Sequence, residues 1–390
     1  MALPSTTATR LGAIDLLRGG VIVLMALDHV RYYLSDARFD PTDPTRTTAA
    51  LFATRWITHL CAPVFMWLAG VGARLSLGRG RNPRSLSRFL FTRGLWLVLL
   101  ELTVARAAWQ FNLDYAYSAA LVLWALGWSM VALAALIRLP DAWIGVIGMG
   151  TVLLHNAFDH VSAAGLGRFA WVWKVLHEPG SIALGASAEL FVLYPLVPWI
   201  GVMALGYVFG PVFTRPPAER HRVCLRLGAA LCAGFVLLRA ANAYGDPSPW
   251  SHQITIGRTV LSFLNTTKYP ASLLYLMMTL GPTLLLVTPL DGARGRIAGV
   301  VRTIGQVPLF FWLLHVPLIH LVAVVFSLAR YGTVVPWLVR NPPAPTPEGY
   351  GYSLPAVYAV TLAVVVTLYP LCRRFAELKQ RRKAAWLSYL

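Results

Sequence analysis

Ten long apolar stretches divide the chain, at residues 12–34, 51–77, 89–109, 117–137, 142–160, 188–211, 223–241, 269–289, 305–329 and 354–372. At about 1.5 Å per helical residue, stretches of this length cross roughly 30 Å of hydrocarbon. The apolar residues run on without alternation, which argues against a β-barrel. The pattern predicts an all-α, polytopic membrane protein of about ten transmembrane helices. Tyr32, Tyr33, Trp109, Tyr115, Trp143 and Trp337 fall near the ends of stretches. Amphipathic rings favour that depth, at the headgroup level.

Composition agrees. The 390 residues are 57% apolar and 13% charged, whereas a soluble domain carries about 25% charged residues. A soluble globule, a disordered chain and a secreted disulfide scaffold are all excluded. Cys61, Cys224, Cys232 and Cys372 lie in or beside apolar stretches, so neither a disulfide framework nor a thiolate metal site is expected. The first stretch has no small-residue cleavage site close behind it and reads as an uncleaved helix.

The net charge of +18 could point to nucleic acid, but its distribution points to a bilayer. With the N-terminus inside, 21 of the 34 Lys and Arg residues fall on inner segments and 12 on outer ones, Arg18 lying within the first stretch. The positive-inside rule then puts both termini in the cytoplasm, and nucleic acid is not an expected partner. The longer segments, 161–187, 242–268 and 330–353, lie outside; the last is Pro-rich between Asn341 and Pro347. The economical organisation is one membrane domain, 1–375, with a basic cytoplasmic tail, 376–390. The expected location is the bacterial cytoplasmic membrane, with an oligomer left open.

Ionisable residues inside apolar stretches are costly and mark function. The first stretch holds Asp15, Arg18, Asp28 and His29. Eleven residues at about 100° each bring Arg18 and His29 within roughly 20° of one helix face, about 16 Å apart along the axis. Asp15 lies on the same side, and Asp15–Arg18 also reads as a local ion pair. His59, in the outer half of the second stretch, is close to His29 in depth. Either histidine suits a general base near neutrality; His59 reads equally as a packed residue, and a hydrogen-bonded bundle histidine is the lesser reading of His29. For Glu101, His155, Asn156, Asp159, His160, Glu189, Gln306, His315 and His320 a structural hydrogen bond is the expectation, Glu101 pairing with an arginine. Asp159-His160 could also line an acceptor site. No metal site is predicted.

Asp15-x-x-Arg18-Gly19 with Asp28-His29, then Trp56-x-Thr58-His59-x-Cys61-Ala62-Pro63-x-Phe65 with Gly70, together resemble a known family. It is the bacterial membrane proteins with a heparan-α-glucosaminide N-acetyltransferase catalytic-like domain. Tyr194–Gly201, Lys268–Tyr275 and Pro308–His315 are similar too, so the likeness covers nearly the whole chain. The Arg18-x10-His29 spacing also resembles an element of related membrane acyltransferases that modify surface sugars.

The resemblance implies an acyltransferase. An acetyl group would pass from cytosolic acetyl-CoA to a glycan or amino-sugar acceptor on the far side of the bilayer. Asp15, Arg18, Arg79, Arg81 and Arg84 would serve the donor, arginine suiting CoA phosphates. His29 or His59 would be the base, with Asp28 orienting it. The lysosomal enzyme has asparagine at the position of His29 and a histidine in its first outer loop. Here Ser35–Ala49 contains no histidine, so transfer to an outer-surface glycan, rather than sugar N-acetylation specifically, is what carries over. Two rivals remain from the residues themselves. One is a transporter or flippase for an envelope precursor, with intramembrane charges as its path. The other is a haem-binding redox protein using paired histidines.

Overall fold

The structure is a computed structural model that describes residues 6–78, 82–340, 346–382 and 384–389. Helices make up most of it. In chain order they are α1 (Thr6–Leu34), α2 (Ala49–Thr58), α3 (Cys61–Leu77), α4 (Pro83–Leu100), α5 (Arg106–Gln110), α6 (Val122–Leu136), α7 (Asp141–Leu154) and α8 (Ala170–Leu176). They continue as α9 (Val197–Phe209), α10 (Pro217–Ala241), α11 (Ile256–Leu264), α12 (Leu273–Asp291), α13 (Arg296–Gln306), α14 (Pro308–Tyr331) and α15 (Leu354–Arg381). Among the described residues, six segments are long and apolar enough to cross a membrane: Ala49–Leu77, Val197–Thr214, Pro217–Ala241, Leu273–Asp291, Pro308–Tyr331 and Leu354–Arg381. Helix α6 is apolar but shorter.

Helix α1 is the hub, packing on α3, α12, α13, α14 and α15. Its approach to α13 depends on glycine. A Cβ on Gly305 would sit 1.9 Å from the Asp15 carbonyl oxygen, and one on Gly19 would sit 1.9 Å from that of Val301. Only residues without a side chain let the two backbones meet. Helices α10 and α15 stand at the periphery, where Leu237 and Val236, and Leu362 and Val366, turn apolar side chains outward. In water such surface would be costly; against lipid tails it is favourable.

Helix α2 ends at Thr58 and α3 begins at Cys61, and Pro63 explains the break. Proline offers no N–H to the carbonyl four residues back, which is His59, and its ring crowds that oxygen. The Tyr275 hydroxyl of α12 donates to the freed His59 carbonyl instead, at 2.8 Å.

A three-stranded sheet departs from the all-helical expectation. Tyr117–Ala120 (β1) pairs in parallel with Glu189–Val192 (β3), and Gly180–Ala183 (β2) pairs antiparallel to β3. Both β1 and β3 bury every second residue. Each is a four-residue run at the head of a longer apolar stretch, too short for period-two patterning to emerge from the helical signal.

Residue 376, where the basic tail is expected to begin, lies within α15. Helix α15 continues unbroken to Arg381, and Tyr389 shares a 2.7 Å hydrogen bond with Thr92 of α4.

Candidate active site

A cavity of about 320 Å³ lies at the end of α1 that carries Asp28 and His29. Those two residues line it with Arg31, Arg55, Lys268 and Arg340, and with a wall of rings that includes Tyr32, Trp109, Tyr194, Tyr269, Trp312 and Trp337. Tyr117 and Ala119 of β1, with Phe191 of β3 and Leu193 just after it, complete one side.

His29 meets α14 here. Its Nδ1 lies 2.8 Å from Nε2 of His315, and the two rings stack at 4.9 Å with 9° between their planes. His315 is fully buried, and its Nδ1 is 3.1 Å from the Phe311 carbonyl oxygen. A carbonyl can only accept, so His315 carries its proton on Nδ1 and presents a lone pair on Nε2. His29 must then donate through Nδ1–H, which leaves the lone pair of a neutral His29 on Nε2. Trp109 packs edge-on against the His29 ring at 4.8 Å. Position and tautomer of one imidazole are thus set by a second, a device familiar from histidines oriented by an outer partner.

Asp28 serves a different network. Arg55 donates to it at 2.7 and 2.9 Å, Arg31 at 3.0 Å and the Thr58 hydroxyl at 3.2 Å. The carboxylate therefore ties α1 to α2, while His315 holds the His29 ring. Each acceptor oxygen is matched by a donor, as a half-buried charge requires.

His59 is buried at the α2–α3 break and packs edge-on against Tyr275 at 5.5 Å. The fold does not bring it into the wall that contains His29.

A second cavity, of about 280 Å³, lies toward the other end of α1. Arg18 lines it with Arg93 of α4 and Lys379 of α15, beside Phe65, Phe89 and Gln306. Arg18 binds Asp15 at 3.0 Å and the Gly305 carbonyl at 3.1 Å. Three cations from three helices make this the electropositive end of the hub. Of the arginines expected to serve a donor, Arg84 is exposed on a neighbouring groove with Arg88 and Arg138. Arg79 and Arg81 lie outside the described residues, as do Asn341 and the start of the Pro-rich segment.

Sequence reasoning missed three participants. His315 was expected only to pack, and its pairing with His29 spans 286 residues. Arg93 and Lys379 join Arg18 only through the fold. The charge of Arg93 and Lys379 and the intramembrane depth of His315 were the available signals. Glu101 also has a different partner from the arginine expected for it. It accepts from the backbone N–H groups of Leu123 and Trp124, at 2.7 and 3.1 Å. It thereby caps the first turn of α6, whose N–H groups have no partner within the helix.

The profile of the family described as heparan-alpha-glucosaminide N-acetyltransferase, catalytic, matches residues 10–238. That is more than half of the chain. The protein belongs to this family. No individual curated protein matches it. The matched region contains Arg18, Asp28, His29, Arg55 and His59, while His315 and Lys379 lie beyond its end. Family membership together with the apolar helices makes the protein a multi-pass membrane protein of an acetyltransferase family.

Proposed function

We propose that the protein is a membrane acyltransferase that takes an acetyl group from cytosolic acetyl-CoA and delivers it to a glycan or amino-sugar acceptor at the outer face. In this reading the chain crosses the bilayer ten times with both termini cytosolic, and the cavity of Arg18, Arg93 and Lys379 opens to the donor side. That arrangement accords with the excess of Lys and Arg on inner segments. The phosphates of the donor meet the three cations, and the thin pantetheine arm follows α1 toward His29.

The relay from the Phe311 carbonyl through His315 to His29 carries the reading, because it leaves one imidazole nitrogen unprotonated in a cavity lined by rings. The acceptor hydroxyl or amine gives its proton to His29 Nε2 as its oxygen or nitrogen attacks the thioester carbonyl. The carbon–sulfur bond breaks, the sulfur leaves as the CoA thiolate, and the proton held by His29 passes to it. Aromatic walls offer flat apolar faces for sugar rings. Arg31, Arg55, Lys268 and Arg340 favour an acceptor that carries negative charge.

Purified protein incubated with labelled acetyl-CoA and envelope glycans tests this. CoA release that depends on acceptor and on His29 is expected. Turnover unchanged in a well-folded His29→Ala protein would remove the assignment, and acceptor flux without CoA consumption would favour a transporter.

A further inference from the structure

A second cluster of histidines lies apart from both cavities, where α7 gives way to the outer segment. His155 and Asp159 follow α7 on a single turn, and His177 caps α8. One ligand atom from each lies within 4.8 Å of the other two. His177 Nε2 is 3.2 Å from Asp159 Oδ1. Both histidines are nearly inaccessible, at 3% and 4% exposure. Both ring nitrogens of His155 are buried and have no hydrogen-bond partner among the described residues. An imidazole in that condition forgoes two hydrogen bonds it would make in water, a cost a native fold rarely leaves uncompensated.

The surroundings are built as the outer shell of a ligand set. Asn156 donates from Nδ2 to Asp159 Oδ2 at 2.8 Å, which aims the other carboxylate oxygen at His177. Asn156 Oδ1 accepts from Leu273 N–H of α12 at 2.9 Å, which fixes the side-chain amide in turn. Trp173 packs against His177 at 4.9 Å and donates to the Val161 carbonyl at 2.8 Å. The carboxylate is therefore oriented by a side chain that is itself oriented.

We infer that His155, Asp159 and His177 form a binding site for a zinc-like divalent transition metal. Two imidazoles and one carboxylate suit zinc or cobalt rather than calcium or magnesium, which take oxygen ligands. Bonds of about 2.0–2.1 Å put tetrahedral ligands roughly 3.4 Å apart. The His177–Asp159 pair already has that spacing, and His155, within 4.8 Å of both, closes the set. Water takes the fourth position. The ion clasps the segment 155–177 to the end of α7. Strand β2 begins three residues after His177 and carries the constraint into the sheet that borders the His29 cavity. The site stands independently of the acyl-transfer reading.

The experiment is a cobalt titration of the full-length protein, purified in detergent, freed of any affinity tag and stripped with chelator. One equivalent of Co²⁺ should bind with the visible absorption of a four- or five-coordinate ion, and Zn²⁺ should displace it. His155→Ala and His177→Ala should each weaken binding at least tenfold, whereas His252→Ala, at an exposed histidine elsewhere, should not. The wild-type spectrum does not depend on any variant folding. Absence of stoichiometric Co²⁺ binding to the stripped wild type overturns the proposal. So does equal binding by a His155→Ala/His177→Ala double variant.

Discussion

His315 decides which ring nitrogen of His29 carries the proton. The 2.8 Å contact from His29 Nδ1 to His315 Nε2, backed by the Phe311 carbonyl, leaves only Nε2 of His29 free to accept a proton. His315 is fully buried and does not itself line the cavity, so its contribution is positioning.

Replacing His315 with phenylalanine keeps a ring in the site and removes the acceptor. The expected outcome is a fall in kcat of about 10- to 100-fold, the range seen when an orienting partner is lost. KM for acetyl-CoA should hardly change. A merely structural role would instead lower the melting temperature and leave the kcat of the folded fraction intact. His29→Ala should cost more, about 10²- to 10⁴-fold, as removal of a general base does.

Arg18 is expected to act on binding. Arg18→Gln removes the charge that shares the second cavity with Arg93 and Lys379. KM for acetyl-CoA should rise with kcat little altered, the signature of lost uniform binding. Dephospho-CoA donors should show a smaller effect of the substitution. Unchanged donor affinity in calorimetry would contradict the assignment.

Tyr275→Phe tests the break between α2 and α3. The variant strips the donor from a carbonyl that Pro63 has already deprived of its helical partner. An unsatisfied buried acceptor costs about 1–3 kcal/mol, readable as a lower thermal midpoint. Acetyl transfer by the folded protein should persist, because Tyr275 lines neither cavity.

Gly305→Ala tests the hub. The added methyl would meet the Asp15 carbonyl oxygen at 1.9 Å, and α1 and α13 must then separate. Overpacking of this kind costs about 1–3 kcal/mol or more. Arg18, bonded to the Gly305 carbonyl, should shift with it, so weaker donor binding should accompany the lost stability.

Much of this was legible in the chain. Charges inside an apolar stretch are expensive enough to stand out singly, and helical periodicity alone puts Arg18 and His29 on one face of α1. The rest was hidden for physical reasons. The partner of His29 comes from α14, nearly three hundred residues away, and local periodicity says nothing about which helices meet. Strands β1 and β3 are four-residue runs inside stretches whose overall apolarity reads as helix. Glu101 looks from sequence like half of an ion pair, because a carboxylate can be satisfied by backbone N–H groups from an unrelated helix. His155 and Asp159 close the apolar stretch 142–160 while His177 lies beyond it, and only the turn after α7 and the end of α8 gather them.

The most direct test of the account is sided. Proteoliposomes would hold acetyl-CoA on the face that bears the termini and a glycan acceptor on the other. The account predicts equal amounts of CoA and acetylated acceptor, formed on opposite faces, and neither product with a His29→Ala protein that still binds acetyl-CoA. Transfer only when both substrates share one face would contradict it.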